Sequence, residues 1–296
     1  LLTDKGCTTS ITKPVVITNP KITGINKSNV CENVNQTFSA IVSLGLDSFI
    51  TYDWKIDGSS VSSSTTCSYT PTNRGTKIID LVCTTKNGCT VSYRDSIFVY
   101  DRPNPNFFVN SVCRQQNFSP TNNTTITAPE GIAQNIWHLN GTQVSTIASP
   151  TLLAAIDGSN SLKLVVTSSN GCKDSVTKNF TIHPLPIVDF AIGSVCLGDI
   201  TSFTDNSSIN AGSNTSYNWQ IDGSSKSGST TSYVFSTTGN YDVKEIVSSN
   251  QGCKDSLTKS LTIRPLPVID VDLNSFEGCV PFTPSIINTS TIESGS

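Results

Sequence analysis

The sequence has no methionine, only two histidines, and charged side chains at only 14% of its 296 positions. His138 and His183 stand in no pattern with a nucleophile, an acid or further ligands, so the sequence offers neither a catalytic triad nor a zinc site. A glycine-rich phosphate loop is also absent. We therefore expect that the protein is not an enzyme and has no catalytic residue, no metal-binding residue and no resident cofactor.

The charge balance and the short apolar runs exclude two classes of partner. The formal net charge is −3 at pH 7, so the chain offers no basic surface for nucleic acid. No apolar run approaches the ~20 residues of a transmembrane helix, so we expect no membrane insertion by this segment. Ten cysteines, in contrast, indicate an oxidising compartment in which disulfides persist, and we expect an extracellular protein.

Three landmarks recur with a period of about 82 residues, which indicates tandem domains. Pro-x-Pro segments separate the periods, and they are typical of short, stiff linkers because proline cannot continue a sheet ladder. The landmarks are one tryptophan per period, a first cysteine, and a second cysteine that follows glycine. They stand at Trp54, Trp137 and Trp219, at Cys31, Cys113, Cys196 and Cys279, and at Cys7, Cys89, Cys172 and Cys253.

The repeat phase predicts where the units begin and end. Three whole units are expected at 21–103, 104–185 and 186–266. We assign 1–20 to the C-terminal strand of a preceding unit and 267–296 to the N-terminal part of a following one.

Inside each unit the residue pattern predicts strands. Leu162, Leu164 and Val166 alternate with more polar neighbours, and Asp-Gly or Asn-Gly pairs mark tight hairpins. Glu245 interrupts the corresponding apolar run in 186–266. The fold class that we predict is all-β, as tandem immunoglobulin-like sandwiches of about 82 residues.

The segments around the tryptophans resemble those of the PKD (polycystic kidney disease) domain family. The chain has Tyr-Asp-Trp-Lys-Ile-Asp-Gly at 52–58 and Tyr-Asn-Trp-Gln-Ile-Asp-Gly at 217–223, and residues 233–243 resemble a second family signature. The resemblance covers nearly the whole chain. It implies an Ig-like sandwich and, in the Bacteroidetes form, tandem arrays in giant adhesins that the type IX system exports. The Gly-Asp step of the tryptophan signature is shortened here, so no loop function is carried over.

Cysteine spacing leaves two disulfide schemes open. In an Ig-like sandwich the A–B connection and the F–G turn lie at opposite ends. A strand of seven residues spans roughly 23 Å, whereas disulfide-bonded Cα atoms lie within about 7 Å. We therefore prefer bridges between units, Cys31–Cys172 and Cys113–Cys253, with Cys7, Cys89, Cys196 and Cys279 paired to units outside this segment. The alternative joins cysteines within units, as Cys31–Cys89, Cys113–Cys172 and Cys196–Cys253.

Cys67 and Cys83 occur only in the first unit, and their alternation places both on inward faces of strands. We predict an intersheet disulfide between them, with two buried free thiols as the alternative. Trp54, Trp137 and Trp219 are predicted to be core residues, in preference to carbohydrate-stacking platforms, because each stands at the same strand position in its unit.

Two further kinds of site are hypotheses at this stage. Asp-Ser-aliphatic segments resemble the O-glycosylation acceptors of Bacteroidetes surface proteins, which makes Ser96, Ser175 and Ser256 candidates. A polar start to a strand is the plainer interpretation. Carboxylates in turns are hard oxygen ligands that suit calcium, although aspartate also favours turns by itself; these are Asp57, Asp199, Asp205 and Asp222.

The function that fits these features is structural and adhesive. We expect a stalk segment of a long cell-surface filament, in surface attachment or gliding motility, whose partners are neighbouring units of the same chain and a surface polysaccharide or substratum. The alternative is an array of carbohydrate-binding modules in a secreted polysaccharide-degrading enzyme. The sequence names no ligand, because fold does not imply function.

Overall fold

The computed structural model describes residues 4–15, 17, 19–45, 47–273, 277–283 and 285–292. Parts of the predicted segments 1–20 and 267–296 therefore lie outside the described residues. The described part of the chain is all-β, and it contains no helix with the length and apolar character needed to cross a membrane. The predicted fold class is confirmed, with about three tandem Ig-like sandwiches along the chain.

The first unit is a two-sheet sandwich. One sheet has the order β1-β3-β6 and the other β2-β8-β7-β4-β5. All pairs are antiparallel except β2 with β8, which run parallel. The strands are β1 (Lys21–Asn26), β2 (Val30–Cys31), β3 (Gln36–Ser43), β4 (Phe49–Ile56), β5 (Ser59–Ser62), β6 (Thr66–Tyr69), β7 (Gly75–Thr85) and β8 (Thr90–Tyr100).

The middle unit repeats the larger sheet, in the order β10-β17-β16-β13-β14, with short pairs β9–β12 and β11–β15 on the opposite side. Strand β10 again runs parallel to the last strand. The strands are β9 (Phe107–Phe108), β10 (Val112–Cys113), β11 (Asn117–Phe118), β12 (Thr121–Asn122), β13 (Ile132–Leu139), β14 (Thr142–Ser145), β15 (Leu152–Leu153), β16 (Gly158–Ser168) and β17 (Lys173–His183).

The third unit has sheets β18-β19-β22 and β21-β20-β23-β24, and two further strands, β25 and β26, pair beyond it. Cys196 forms a parallel bridge with Arg264, which corresponds to the β2–β8 and β10–β17 pairs. The strands are β18 (Phe190–Ile192), β19 (Ile200–Asp205), β20 (Asn214–Ile221), β21 (Ser224–Ser227), β22 (Thr230–Val234), β23 (Gly239–Ser249), β24 (Lys254–Ile263), β25 (Val271–Leu273) and β26 (Ile286–Asn288).

A tryptophan forms the centre of each core. Trp54, Trp137 and Trp219 are all 0% exposed, and each packs beside a phenylalanine of the facing sheet. Each indole N–H is also satisfied, because Nε1 donates to a backbone carbonyl oxygen at 2.8–3.0 Å. Buried indoles need such a partner, so the same strand position fixes the ring in all three units.

The tight turn after each tryptophan strand follows from its sequence. Asp57, Asn140 and Asp222 have positive φ angles of 49°, 50° and 44°, and the glycine after each is also positive. Two consecutive residues with positive φ form the type I′ hairpin turn that Asp-Gly and Asn-Gly favour. The hairpins β4–β5, β13–β14 and β20–β21 therefore start at the same point of each unit.

One position of the third core holds an ionisable residue where the other two cores have an aliphatic one. The residue opposite the tryptophan on the neighbouring strand is Leu81 in the first unit and Leu164 in the middle unit, but Glu245 in the third. Glu245 is 0% exposed. Burial, and then the nearby Asp205 carboxylate, raise the pKa of Glu245 to about 8, because both disfavour the charged form.

We predict that the stability of the third unit falls as the pH rises from about 4.5 to about 8. The folded unit holds the proton of Glu245 more tightly than the unfolded chain does, so deprotonation across this window favours unfolding and stability levels off above it. The slope should approach about 1.4 kcal/mol per pH unit. Hydrogen exchange of β23 peptides in urea measures the stability of the third unit at each pH. Peptides from β16, which have Leu164 at the equivalent position, are the internal reference.

Two substitutions sharpen that measurement. Glu245→Gln should remove the pH dependence and keep the side-chain size, whereas Glu245→Leu should also raise stability at pH 9, because it replaces a buried charged group with the residue that the other two cores have. A wild-type β23 whose protection follows the same pH profile as β16 would contradict the prediction.

Candidate functional site: the joints between units

Two disulfides connect successive units. Cys31 of the first unit is bonded to Cys172 of the middle unit with a Cα–Cα distance of 5.6 Å, and Cys113 of the middle unit is bonded to Cys253 of the third at 5.5 Å. Both distances lie in the normal disulfide range. The structure thus has the bridges between units that the sandwich topology favoured, and not the pairs Cys31–Cys89, Cys113–Cys172 and Cys196–Cys253.

The first cysteine of each bridge lies beside the end of its own unit. Cys31 is paired with Tyr100, and Cys113 with His183, the last residues of strands β8 and β17. The linker to the next unit starts directly after these strands. The disulfide and the linker are therefore neighbouring covalent connections at the same joint.

The second cysteine is held in a glycine turn that recurs in all three units. Gly171 and Gly252 have φ angles of 84° and 78°, a region that favours glycine. The residue four positions before the cysteine closes the turn, because its N–H donates to the cysteine carbonyl and its hydroxyl accepts from the cysteine N–H. This holds for Ser168 with Cys172, Ser249 with Cys253 and Thr85 with Cys89.

The remaining joint cysteines keep this repeat geometry. Cys89 is exposed in the glycine turn of the first unit, and Cys196 is half-buried beside Arg264, the position that Cys31 and Cys113 occupy in their units. Cys279 is exposed. Their pairing with units outside this sequence, like that of Cys7, stays a prediction.

The predicted disulfide between Cys67 and Cys83 is wrong, since both are buried free thiols in the structure. Cys67 lies on β6 opposite Phe38, whereas Cys83 lies on β7 in the other sheet. The rings of Phe38 and Trp54 stack in this core and are both fully buried, so they occupy the space between the two sheets. Burial raises the pKa of Cys67, and that of Cys83 to about 11, so both thiols stay protonated and unreactive near neutral pH.

The joint between the first and middle units contains an arginine that crosses it. The Arg74 guanidinium donates to the Ala128 carbonyl at 2.9 Å and lies 3.4 Å from a Glu130 carboxylate oxygen. The Glu130 side chain is only 3% exposed. On its own unit, Arg74 lies 3.7 Å from Asp101 and over the Phe98 ring. Arg74 therefore ties the end of one sandwich to the loop before β13 of the next.

The linker adds a second contact at this joint. Arg102 donates from Nε and Nη2 to the Lys173 carbonyl at 3.1 and 2.8 Å, and Nη2 lies 3.6 Å from the Asp174 carboxylate. Both acceptors directly follow Cys172. The linker and the disulfide are thus fastened to the same few residues of the middle unit.

The joint between the middle and third units has different side chains. Arg114 lies 3.2 Å from Asp157 within the middle unit, at the approach to the Pro184–Pro186 linker. A cleft of about 390 Å³ lies at this joint, and its lining includes Leu185, Ile187 and Leu257. The two joints therefore share their disulfide geometry and differ in their non-covalent contacts.

Each of the four turn aspartates accepts a hydrogen bond from its own unit. Asp57 accepts from the Ile78 N–H at 2.9 Å, Asp205 from the Ser207 N–H at 3.0 Å, Asp199 from the Ser194 hydroxyl and Asp222 from the Tyr233 hydroxyl. Over the described residues, no three His, Cys, Asp or Glu side chains are grouped to hold a metal ion. Calcium binding by these aspartates stays a hypothesis.

The three candidate glycosylation serines do not occupy equivalent positions. Ser175 and Ser256 are exposed at the start of the last strand, next to Asp174 and Asp255, which lie opposite Val166 and Val247. The first-unit counterpart of Val166 and Val247 is Cys83, and the residue opposite Cys83 is Val91. Ser96 lies farther along β8 and is half-buried. Glycosylation stays a prediction, and Ser96 does not share the environment of the other two serines.

Sequence reasoning missed most of the polar residues at the joints. Ser168, Ser249 and Thr85 did have a signal, because a hydroxyl residue recurs four positions before each second cysteine. Arg74 and Glu130 had none, since neither residue recurs with the period. Only the packing of one unit against the next brings them together.

Residues 183–265 match the family model described as PKD domain. The PKD1 domain of Vibrio anguillarum Epp is 22% identical and covers 27% of this chain and 93% of its own, with a TM-score of 0.25. The PKD1 domain of the Vibrio cholerae metalloprotease PrtV is 20% identical and covers 27% and 96%, with a TM-score of 0.25. An I-band fragment of titin is 11% identical and covers 84% and 99%, with a TM-score of 0.40. No curated protein sequence matches the chain.

The disulfides and the tandem sandwiches define the class of this molecule, an extracellular protein built from several Ig-like domains. Within it, residues 183–265 are a PKD domain.

We predict that Arg74→Ala loosens the joint between the first and middle units. The change removes the hydrogen bond to Ala128 and leaves the buried Glu130 carboxylate without its cation, and a buried polar group left unsatisfied costs about 1–3 kcal/mol. Cys31–Cys172 should then be reduced about tenfold faster by dithiothreitol, because 1.4 kcal/mol corresponds to a factor of ten. Timed alkylation and peptide mass spectrometry measure both disulfides, and Cys113–Cys253 should be unaffected.

Arg94→Ala is the matched control. Arg94 is 73% exposed and pairs with Asp80 on the surface of the first unit, away from the joint. Surface pairs contribute little to stability, so this variant should behave as the wild type. Equal reduction rates in the two variants would contradict the role assigned to Arg74.

Proposed function

We propose that this chain is a structural segment of an extracellular stalk, a filament at the cell surface that positions an adhesive region away from its anchor. Its immediate partners are the neighbouring units of the same chain. The observation that carries the proposal is the pairing of cysteines between successive units, which gives every complete joint two covalent connections.

The other features of the joints support the same role. Pro-x-Pro linkers are short and resist bending, and Arg74 and Arg102 add contacts between units. Flexible tethers need none of these. In the finer form of the proposal, the stalk belongs to a giant adhesin of the type IX secretion route, in surface attachment or gliding motility, with a surface polysaccharide or substratum as its distant partner. We further propose that the chain has no enzymatic activity.

The carbohydrate-binding alternative has less support. Sugar-binding modules stack ligands on exposed aromatic rings, whereas the three tryptophans are all 0% exposed. The lining of the cleft between the middle and third units consists of proline, other aliphatic side chains and polar side chains, and includes no aromatic ring. Glycan-array screening of the 296-residue chain separates the two functions. Saturable binding to a polysaccharide at micromolar concentration would favour the alternative, and we expect none.

We predict that reduction makes the chain flexible without unfolding its sandwiches. The cores are formed inside each unit, whereas both disulfides lie between units, so dithiothreitol should broaden the distribution of interatomic distances and leave the strand content unchanged. Small-angle X-ray scattering measures the first quantity and far-ultraviolet circular dichroism the second.

The double variant Cys31→Ser, Cys113→Ser should reproduce the reduced state without reductant. Cys89→Ser is the matched control, because Cys89 is in neither of the two bridges. A reduced chain that scatters like the oxidised one would overturn the role of the disulfides in stiffness, and with it the stalk proposal.

A further inference from the structure

The two disulfides are interlaced along the chain. Cys113 lies inside the loop that Cys31–Cys172 closes, and Cys172 lies inside the loop that Cys113–Cys253 closes, with sequence separations of 141 and 140 residues. Disulfides within units would close separate loops of smaller size. Because the two loops overlap, the effect of losing one disulfide on the length of the extended chain depends on whether the other disulfide is intact.

Interlacing creates two covalent nodes with three chain segments between them. One node is Cys31–Cys172, at the joint between the first and middle units. The other is Cys113–Cys253, at the joint between the middle and third units. The nodes are joined by residues 31–113, 113–172 and 172–253 in parallel. The shortest of these segments limits how far the nodes can separate, whatever happens to the sandwiches.

That shortest segment is the body of the middle unit, about 59 residues from Cys113 to Cys172. Between residues 1 and 296 the shortest covalent route is therefore about 130 residues long, although the chain has 296. At about 3.5 Å per extended residue, the oxidised chain cannot exceed about 460 Å, whereas the reduced chain reaches about 1,030 Å. Most of the first and third units is excluded from the load-bearing route.

The loss of one disulfide changes this limit only slightly. Without Cys31–Cys172 the shortest route follows residues 1–113 and 253–296, and without Cys113–Cys253 it follows residues 1–31 and 172–296. Each route is about 155 residues long, or about 540 Å when extended. One broken bond therefore adds about 80 Å, whereas two broken bonds together add about 570 Å.

We propose that the interlaced disulfides are a redundant tension-bearing device that limits the extension of the array even when a single bond is lost. The proposal rests on the stalk function, because only a chain under tension benefits from the limit. It goes beyond stiffness, since it concerns the length of the chain after its sandwiches have unfolded.

Single-molecule force spectroscopy tests the device. The 296-residue chain is held by handles at its two ends and pulled until all units have unfolded, and the contour length is measured before and after dithiothreitol is added to the same molecules. We expect about 460 Å in the oxidised state and about 1,030 Å in the reduced state. An oxidised length above about 800 Å would overturn the proposal.

The single variants test redundancy. Cys31→Ser and Cys113→Ser should each give about 540 Å when oxidised, and the double variant about 1,030 Å. Cys196→Ser should match the wild type, since Cys196 is in neither bridge. Peptide mapping verifies the remaining bond in each variant, and the contour length at full extension does not depend on the stability of its units. Additive gains, with each single variant adding half of the total, would refute interlacing.

These outcomes are independent of the stalk function. A contour length that contradicts interlacing would leave the scattering result in place, and a polysaccharide ligand on the glycan array would leave the contour lengths in place. Failure of one proposal is therefore distinguishable from failure of the other.

Discussion

The constraint on which this molecule depends is the meeting of two cysteines at each complete joint. The first cysteine lies beside the end of its own last strand, as Cys31 does beside Tyr100, and the second lies in the glycine turn that opens the last strand of the next unit. A disulfide needs Cα atoms within about 7 Å, so the bond fixes how closely and at which edge successive units meet. The linker, Arg74 and Arg102 all act within the geometry that this bond allows.

The hydrophobic core of each unit contains none of the four disulfide-bonded cysteines. Each unit has about 82 residues, and a tryptophan, a phenylalanine from the facing sheet and a row of aliphatic side chains fill the space between the sheets. Because the core is formed inside each unit, a bond between units adds connection where a bond within a unit would only add stability. The third core even contains a carboxyl group, that of Glu245, where the other two have leucine. The units thus differ in their core residues, whereas both joints have the same kind of disulfide.

Periodic and non-periodic residues have different roles in this arrangement. The cysteines, the turn glycines and the hydroxyl residues four positions before each second cysteine recur in every unit, because they form the covalent joint. Arg74 and Glu130 occur once, and they adapt one joint to the side chains that happen to face each other there. The two joints therefore have equivalent disulfides but different non-covalent contacts between the units.

The sequence by itself determined the fold class, the position of each core tryptophan and the tight Asp-Gly and Asn-Gly turns, because period, alternation and turn chemistry are local properties of a chain. It also favoured bridges between units, since the opposite ends of a sandwich cannot share a disulfide. Only the tertiary structure decided that Cys67 and Cys83 stay reduced, because which inward side chains of two facing sheets meet depends on how the core rings pack between them. It alone decided that Arg74 reaches Glu130, since packing between distant segments leaves no periodic mark in a sequence.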